Sequence, residues 1–275
     1  MSLLAEVPES AATGTVAATY AEIRRVTGVP FVVFIYRALA AQAGRLETVW
    51  AELAPNLASP KGRAARAELE AALLPTACGR PGRLPAGALA AAGVERLAIA
   101  ATLAGFRRAN AANVVGLWAL LDGVTGRGAA PLGPVSGAAD TVPPGLPMAD
   151  LATLPASTVA LLEQMSAPIA GDERPVLVPS LYRTFAHDEP LLSALAAALR
   201  PVVESPGFRP AVTALAARGR ELARSLPHPV TPLDDPAART VVERFLRAIP
   251  AMILVGALIG EATGADAAPT APDAR

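Results

Sequence analysis

The chain has 275 residues, 52% hydrophobic and 4% aromatic, so it carries ample material for a buried core. Lys plus Arg number 24 and Asp plus Glu number 24, a zero balance that offers no electrostatic footprint for nucleic acid or an anionic membrane. A single cysteine, Cys78, excludes an intrachain disulfide and a cysteine-based zinc site, and His187 and His228 have no metal-ligand spacing.

Much of the apolar content is alanine, the strongest helix former, while the residues that favour strands are scarce. The expected fold class is therefore all-α, with the 27 prolines at helix starts and in connections. The N-terminal segment has Glu6 and Glu9 and no basic cluster, so no secretory leader is expected. Apolar spacing and punctuation predict helices over 15–25, 31–43, 45–53, 62–73 and 94–121. The third of these is expected to stop before Pro55. Residues 126–150, rich in Gly and Pro, read as a linker. Further helices are predicted over 158–165, 180–186, 191–203, 209–226 and 236–261, and residues 265–275 read as a frayed tail. The most apolar stretch, 248–260, is shorter than the roughly 20 residues needed to span a bilayer, so a buried helix in a cytoplasmic protein is expected.

Three short matches recur in one order. Thr15-Val16-Ala17 returns as Thr158-Val159-Ala160, and Ile35-Tyr36-Arg37-Ala38-Leu39-Ala40 as Leu181-Tyr182-Arg183-Thr184-Phe185-Ala186. Phe106-Arg107-Arg108-Ala109 returns as Phe245-Leu246-Arg247-Ala248. Two copies are too few for a solenoid. They predict an intramolecular pseudo-dimer of a first helical repeat, 1–125, and a second, 151–264.

The segment Ser180 to Ala186, taken with Tyr20-Ala21-Glu22-Ile23-Arg24 and Val29-Pro30-Phe31-Val32-Val33-Phe34, resembles the group I 2-haloacid dehalogenases. The likeness extends to residues 106–120 and 247–261 in the same order. It implies a site between two all-helical halves, where an aspartate activates water to displace halide from C2 without a cofactor or a covalent intermediate. Carried over position by position, it implies that Asn110 holds the water and that Phe31, Phe34 and Phe245 line an apolar pocket. Ser180 matches the serine before the catalytic aspartate, and the aspartate's own place is held by Leu181, which cannot accept a proton.

Asp188 is the nearest acid downstream that could serve as a relocated base. Seven helical residues rise about 10 Å, and Asp188 before Glu189-Pro190 has the pattern of a helix cap. The matched pairs Arg37 with Arg183 and Arg108 with Arg247 could bind a carboxylate, but side chains shared by both copies fit architecture better. Asn113 shares a helix face with Asn110. Trp50 and Trp118 read as core, and Cys78 as an incidental thiol.

Two functions follow. One is hydrolysis of small 2-substituted carboxylic acids, with dehalogenation weak or absent for want of the aspartate. The other is a non-hydrolytic pocket for an apolar small molecule, or a different reaction on the same scaffold. A structural or partner-binding role has no positive support in the sequence. The expected partner is thus a small organic molecule, with no nucleic acid, membrane or metal; a homodimer is compatible with the composition.

Overall fold

Helix ends fall where the chain supplies caps. Ser59 accepts from the backbone N–H of Gly62, Asp188 from that of Leu191 and Asp235 from that of Ala237, and Pro60, Pro190 and Pro236 occupy the first turns that follow. Gly28 closes the first helix in the left-handed region, at φ 69°.

In a computed structural model the described residues are 5–73, 75–126, 141–170 and 176–265. They form α1 (Gly14–Thr27), α2 (Phe34–Ala40), α3 (Arg45–Ala58), α4 (Pro60–Glu70), α5 (Ala88–Ala91), α6 (Arg96–Asp122), α7 (Ala156–Ala170), α8 (Ser180–Arg183), α9 (Glu189–Val203), α10 (Phe208–Arg224) and α11 (Pro236–Thr263). Among the described residues the only β pairing is an isolated antiparallel bridge between Val124 and Val230, so the fold is all-α. Most of the predicted linker, 127–140, and of the predicted tail, 266–275, lie outside the described residues.

The two long helices form the centre. α6 has 27 residues and α11 has 28, each about 40 Å long, and they pack along one another. From Ala109 to Leu121 nearly every side chain of α6 is buried, the mark of a helix surrounded by protein. α4 and α10 flank α6, α7 and α9 pack on α11, and α1 and α3 form a pair beside α2. α11 is long and apolar enough to cross a membrane by composition, yet 83% of its apolar window is buried against these neighbours.

Three expectations need correction. α3 runs through Pro55 to Ala58 instead of stopping before it. The carbonyl that loses its donor is that of Ala51, an exposed residue where water can replace it, while continuing the helix buries Asn56, Leu57 and Ala58. The Asn56 side chain then pairs with the His228 backbone, Nδ2 donating to the carbonyl at 3.0 Å and Oδ1 accepting from the N–H at 2.9 Å.

α2 starts at Phe34 rather than at residue 31. The Val32 backbone is satisfied outside any helix: its N–H donates to Glu9 at 2.8 Å and its carbonyl accepts from Arg37 at 2.7 Å. α8 ends at Arg183, because the Leu181 carbonyl accepts from both the N–H and the hydroxyl of Thr184 in a tight turn. The short α5 and the 3-10 turns at Glu9–Ala11, Thr76–Cys78 and Leu151–Thr153 had no periodic signal to find.

Candidate functional site

Two adjoining cavities lie about α2, α6 and α8, the smaller one bounded also by α11. The smaller, about 50 Å³, is lined by Val33, Phe34, Ile35, Phe106, Asn110, Asn113, Leu177, Val178, Pro179, Ser180, Leu181, Phe245, Ala248, Ile249 and Met252. The larger, about 330 Å³, is lined by Glu9, Pro30, Phe31, Val32, Val33, Arg37, Thr102, Phe106, Pro144, Gly145, Leu146, Pro147, Met148, Ser180 and Thr184. Val33, Phe106 and Ser180 belong to both walls and mark the junction.

The aromatic rings sort into the same two places. Phe34 meets Phe245 edge to face, with centroids 5.4 Å apart, in the wall of the smaller cavity. Phe31 stacks on Phe106 at 4.7 Å beside the larger one. Phe31 can approach so closely because residue 105 is glycine: a Cβ there would stand 3.0 Å from the Phe31 ring.

Of the residues singled out in the sequence, Phe34, Asn110, Ser180, Leu181 and Phe245 share the smaller cavity. Phe31 lies in the larger one. Asp188 lines neither; its carboxylate accepts the Leu191 N–H at 2.7 Å and caps α9. Leu181 is 1% exposed, and its Cδ2 sits 3.9 Å from where a Cβ on Gly256 of α11 would stand.

Asn110 and Asn113 follow from Phe106 at one helical face, and all three reach the cavity from α6. Asn113 is 2% exposed, and its Oδ1 is a buried acceptor with no hydrogen-bond partner among the described residues. Among the described residues, the wall of the smaller cavity has no Asp, Glu, His, Lys or Arg. None of the described side chains in that wall is a carboxylate or imidazole that could take a proton from water.

Among the described residues, charge enters at the larger cavity, and it is already committed. Glu9 accepts from Arg24 at 2.5 Å and from the Val32 N–H at 2.8 Å. Arg37 donates to Glu6 at 2.6 Å and to the Val32 carbonyl at 2.7 Å, and its guanidinium lies 5.7 Å from the centre of the Phe34 ring. Arg183 donates to the Ala149 carbonyl at 2.9 Å. Burial, then the nearby Arg37 charge, pulls the Arg183 guanidinium below its ordinary range. Arg108 lies 3.8 Å from Glu70. The buried tyrosines, Tyr36 and Tyr182, are pushed up by desolvation and stay neutral phenols.

Sequence reasoning missed much of the larger cavity. Residues 144–148, read as part of a linker, form its wall. They are held there by the Leu146 N–H donating to Thr102 Oγ1 at 2.7 Å, and by neighbouring bonds from Val142 to the Gly28 carbonyl and from Ala149 to the Arg183 carbonyl. Irregular backbone carries no periodicity, so nothing local announces such a role. Phe106 stood out only as part of a repeated tetrapeptide, although its spacing to Asn110 and Asn113 was a usable signal.

No protein-family model matches the chain, and no curated protein is significantly similar to it. Solved structures are. A D-2-haloacid dehalogenase mutant superposes with TM-score 0.76 at 16% identity, over 94% of this chain and 96% of that one. The complex of such a mutant with D-2-CPA gives TM-score 0.75 at 17% identity, over the same shares. The D-2-haloacid dehalogenase complex with L-LA gives 0.69 at 17% identity, over 94% of each chain. Agreement over nearly the full length of both chains means that this protein has the fold of the D-2-haloacid dehalogenases.

Proposed function

We propose that the chain binds a small, mostly apolar organic molecule in the paired cavities, and that it does not hydrolyse 2-haloacids by base-activated water attack. One observation carries this reading: the smaller cavity holds the amides of Asn110 and Asn113 and, among the described residues, no ionisable side chain, with Leu181 in its wall. Attack by water on a carbon–halogen bond needs a proton acceptor within hydrogen-bond reach of that water. The larger cavity, about 330 Å³, falls in the range of about 300–1,000 Å³ typical of ligand sites, with an apolar wall and a few polar groups.

A second reading, a hydrolase of small 2-substituted carboxylic acids, is favoured by the fold, since a structure with that fold is a complex with D-2-CPA. Similar folds host different chemistries, and the composition of the site favours the first reading. Halide release from each enantiomer of 2-chloropropionate discriminates them. The wild-type chain is expected to release none above buffer, and Leu181→Asp to release some, with Leu181→Asn as the control for lost packing. Wild-type turnover at a rate that Leu181→Asp does not raise would sink the first reading.

The layout proposed with it is two copies of one helical unit, 1–125 and 151–264, with the site at their junction and 126–150 connecting them. Matched hydrogen bonds support it. The Val7 N–H donates to the Arg37 carbonyl at 3.0 Å and the Ala149 N–H, at the end of the connecting segment, to the Arg183 carbonyl at 3.2 Å. Likewise Thr15 donates to Glu47 at 2.8 Å and Thr158 to Glu189 at 2.6 Å.

A further inference from the structure

We infer that the ligand carries an uncharged head bearing an N–H or O–H donor, a primary amide or an alcohol rather than a carboxylate, seated against Asn110 and Asn113, with an apolar body in the larger cavity. The inference rests on reading the paired cavities as a ligand site, and it names the class of molecule.

Size divides the two cavities between head and body. A water needs roughly 10–15 Å³ by the measure in which the smaller cavity has about 50 Å³, so that cavity takes a few waters or one short polar group. The larger, about 330 Å³, takes a chain or a ring. The junction at Val33, Phe106 and Ser180 lets one molecule occupy both.

Charge then selects the head. Asn113 Oδ1 is an acceptor with no donor, and burying it so is costly until a donor arrives. A carboxylate has only acceptors to offer this oxygen, and no cation among the described residues of the wall repays its dehydration. Arg37, the cation of the larger cavity, already pairs with Glu6 and the Val32 carbonyl, and Glu9 lines the same wall. A primary amide both donates and accepts, which matches an asparagine side chain group for group.

The test titrates the full chain with hexanamide and with hexanoate at pH 7.5 by isothermal calorimetry. Hexanamide is expected to bind at least tenfold more tightly than hexanoate. Asn113→Leu should weaken hexanamide at least tenfold in a chain that still melts cooperatively and no lower than wild type. Should that variant fail to fold, Ala248→Leu serves instead, because Ala248 lines the smaller cavity and a leucine there fills it. It should abolish the preference for the amide. Hexanoate binding as tightly as hexanamide, or Asn113→Leu and Ala248→Leu leaving amide affinity unchanged, overturns the head-group assignment while the cavity reading stands. A folded chain that binds neither probe overturns both.

Discussion

A buried acceptor left without a donor costs about 1–3 kcal/mol, and Asn113 Oδ1 is in that position on α6. Replacing the whole amide by an alkyl group of similar shape removes the cost along with the group. Asn113→Leu should therefore raise stability by roughly 1 kcal/mol, read as a higher urea midpoint at constant slope. A lower midpoint would mean that the amide is satisfied after all. Leu181 presents the opposite case. It is packed at 1% exposure, so Leu181→Asp loses apolar contacts and buries a carboxyl, for a loss of about 2–4 kcal/mol. Urea unfolding of that variant belongs beside its halide assay, since a rate measured on a half-unfolded sample carries no information about the site.

Between elements, close approach and ion pairs bind α10 to the first half of the chain. A Cβ on Gly219 of α10 would stand 2.2 Å from Val114 Cγ1 on α6, and both are buried. Gly219→Ala should thus cost about 1–3 kcal/mol by overpacking, although alanine is the better helix former. A rise in melting temperature would show that α10 can slide away. Arg220 of α10 grips Asp122, the last residue of α6, through two bonds of 2.5 and 2.7 Å. That hydrogen bonding, with the Arg220 charge, holds the Asp122 carboxyl below the usual range, and Arg218 does the same for Glu68. A depressed folded pKa gives stability that is full above the unfolded value, near 4, and lost as pH falls through the folded one. The melting temperature should drop below about pH 4, and Asp122→Asn should flatten that acid limb. Glu68 contributes less, because its pair is half exposed to solvent.

For the molecule as a whole, the α6–α11 pair makes the two proposed units interdependent. Each contributes one long helix, and these two helices pack along one another at the centre of the fold. Residues 1–125 expressed alone are expected to lack a cooperative melt, and mixing them with residues 141–265 to restore one, as followed by circular dichroism. A sharp independent transition of the first fragment would show that the units are true domains.

How much of this was legible in the residues depended on the range of the interactions involved. Composition, apolar period and capping residues act within a few positions of the chain, so the all-helical class, nearly every long helix and the cap at Asp188 could be read directly. The absence of an acid at position 181 was equally visible. What Pro55 does inside α3 depended on whether its deprived carbonyl faces water. The start of α2 depended on Glu9 and Arg37 capturing the Val32 backbone from a distance in sequence. The division of the aromatic residues into two cavities, the wall built from 144–148 and the unpaired Asn113 oxygen came only with packing. Each is a relation between surfaces far apart in the chain, and such relations have energies but no local pattern.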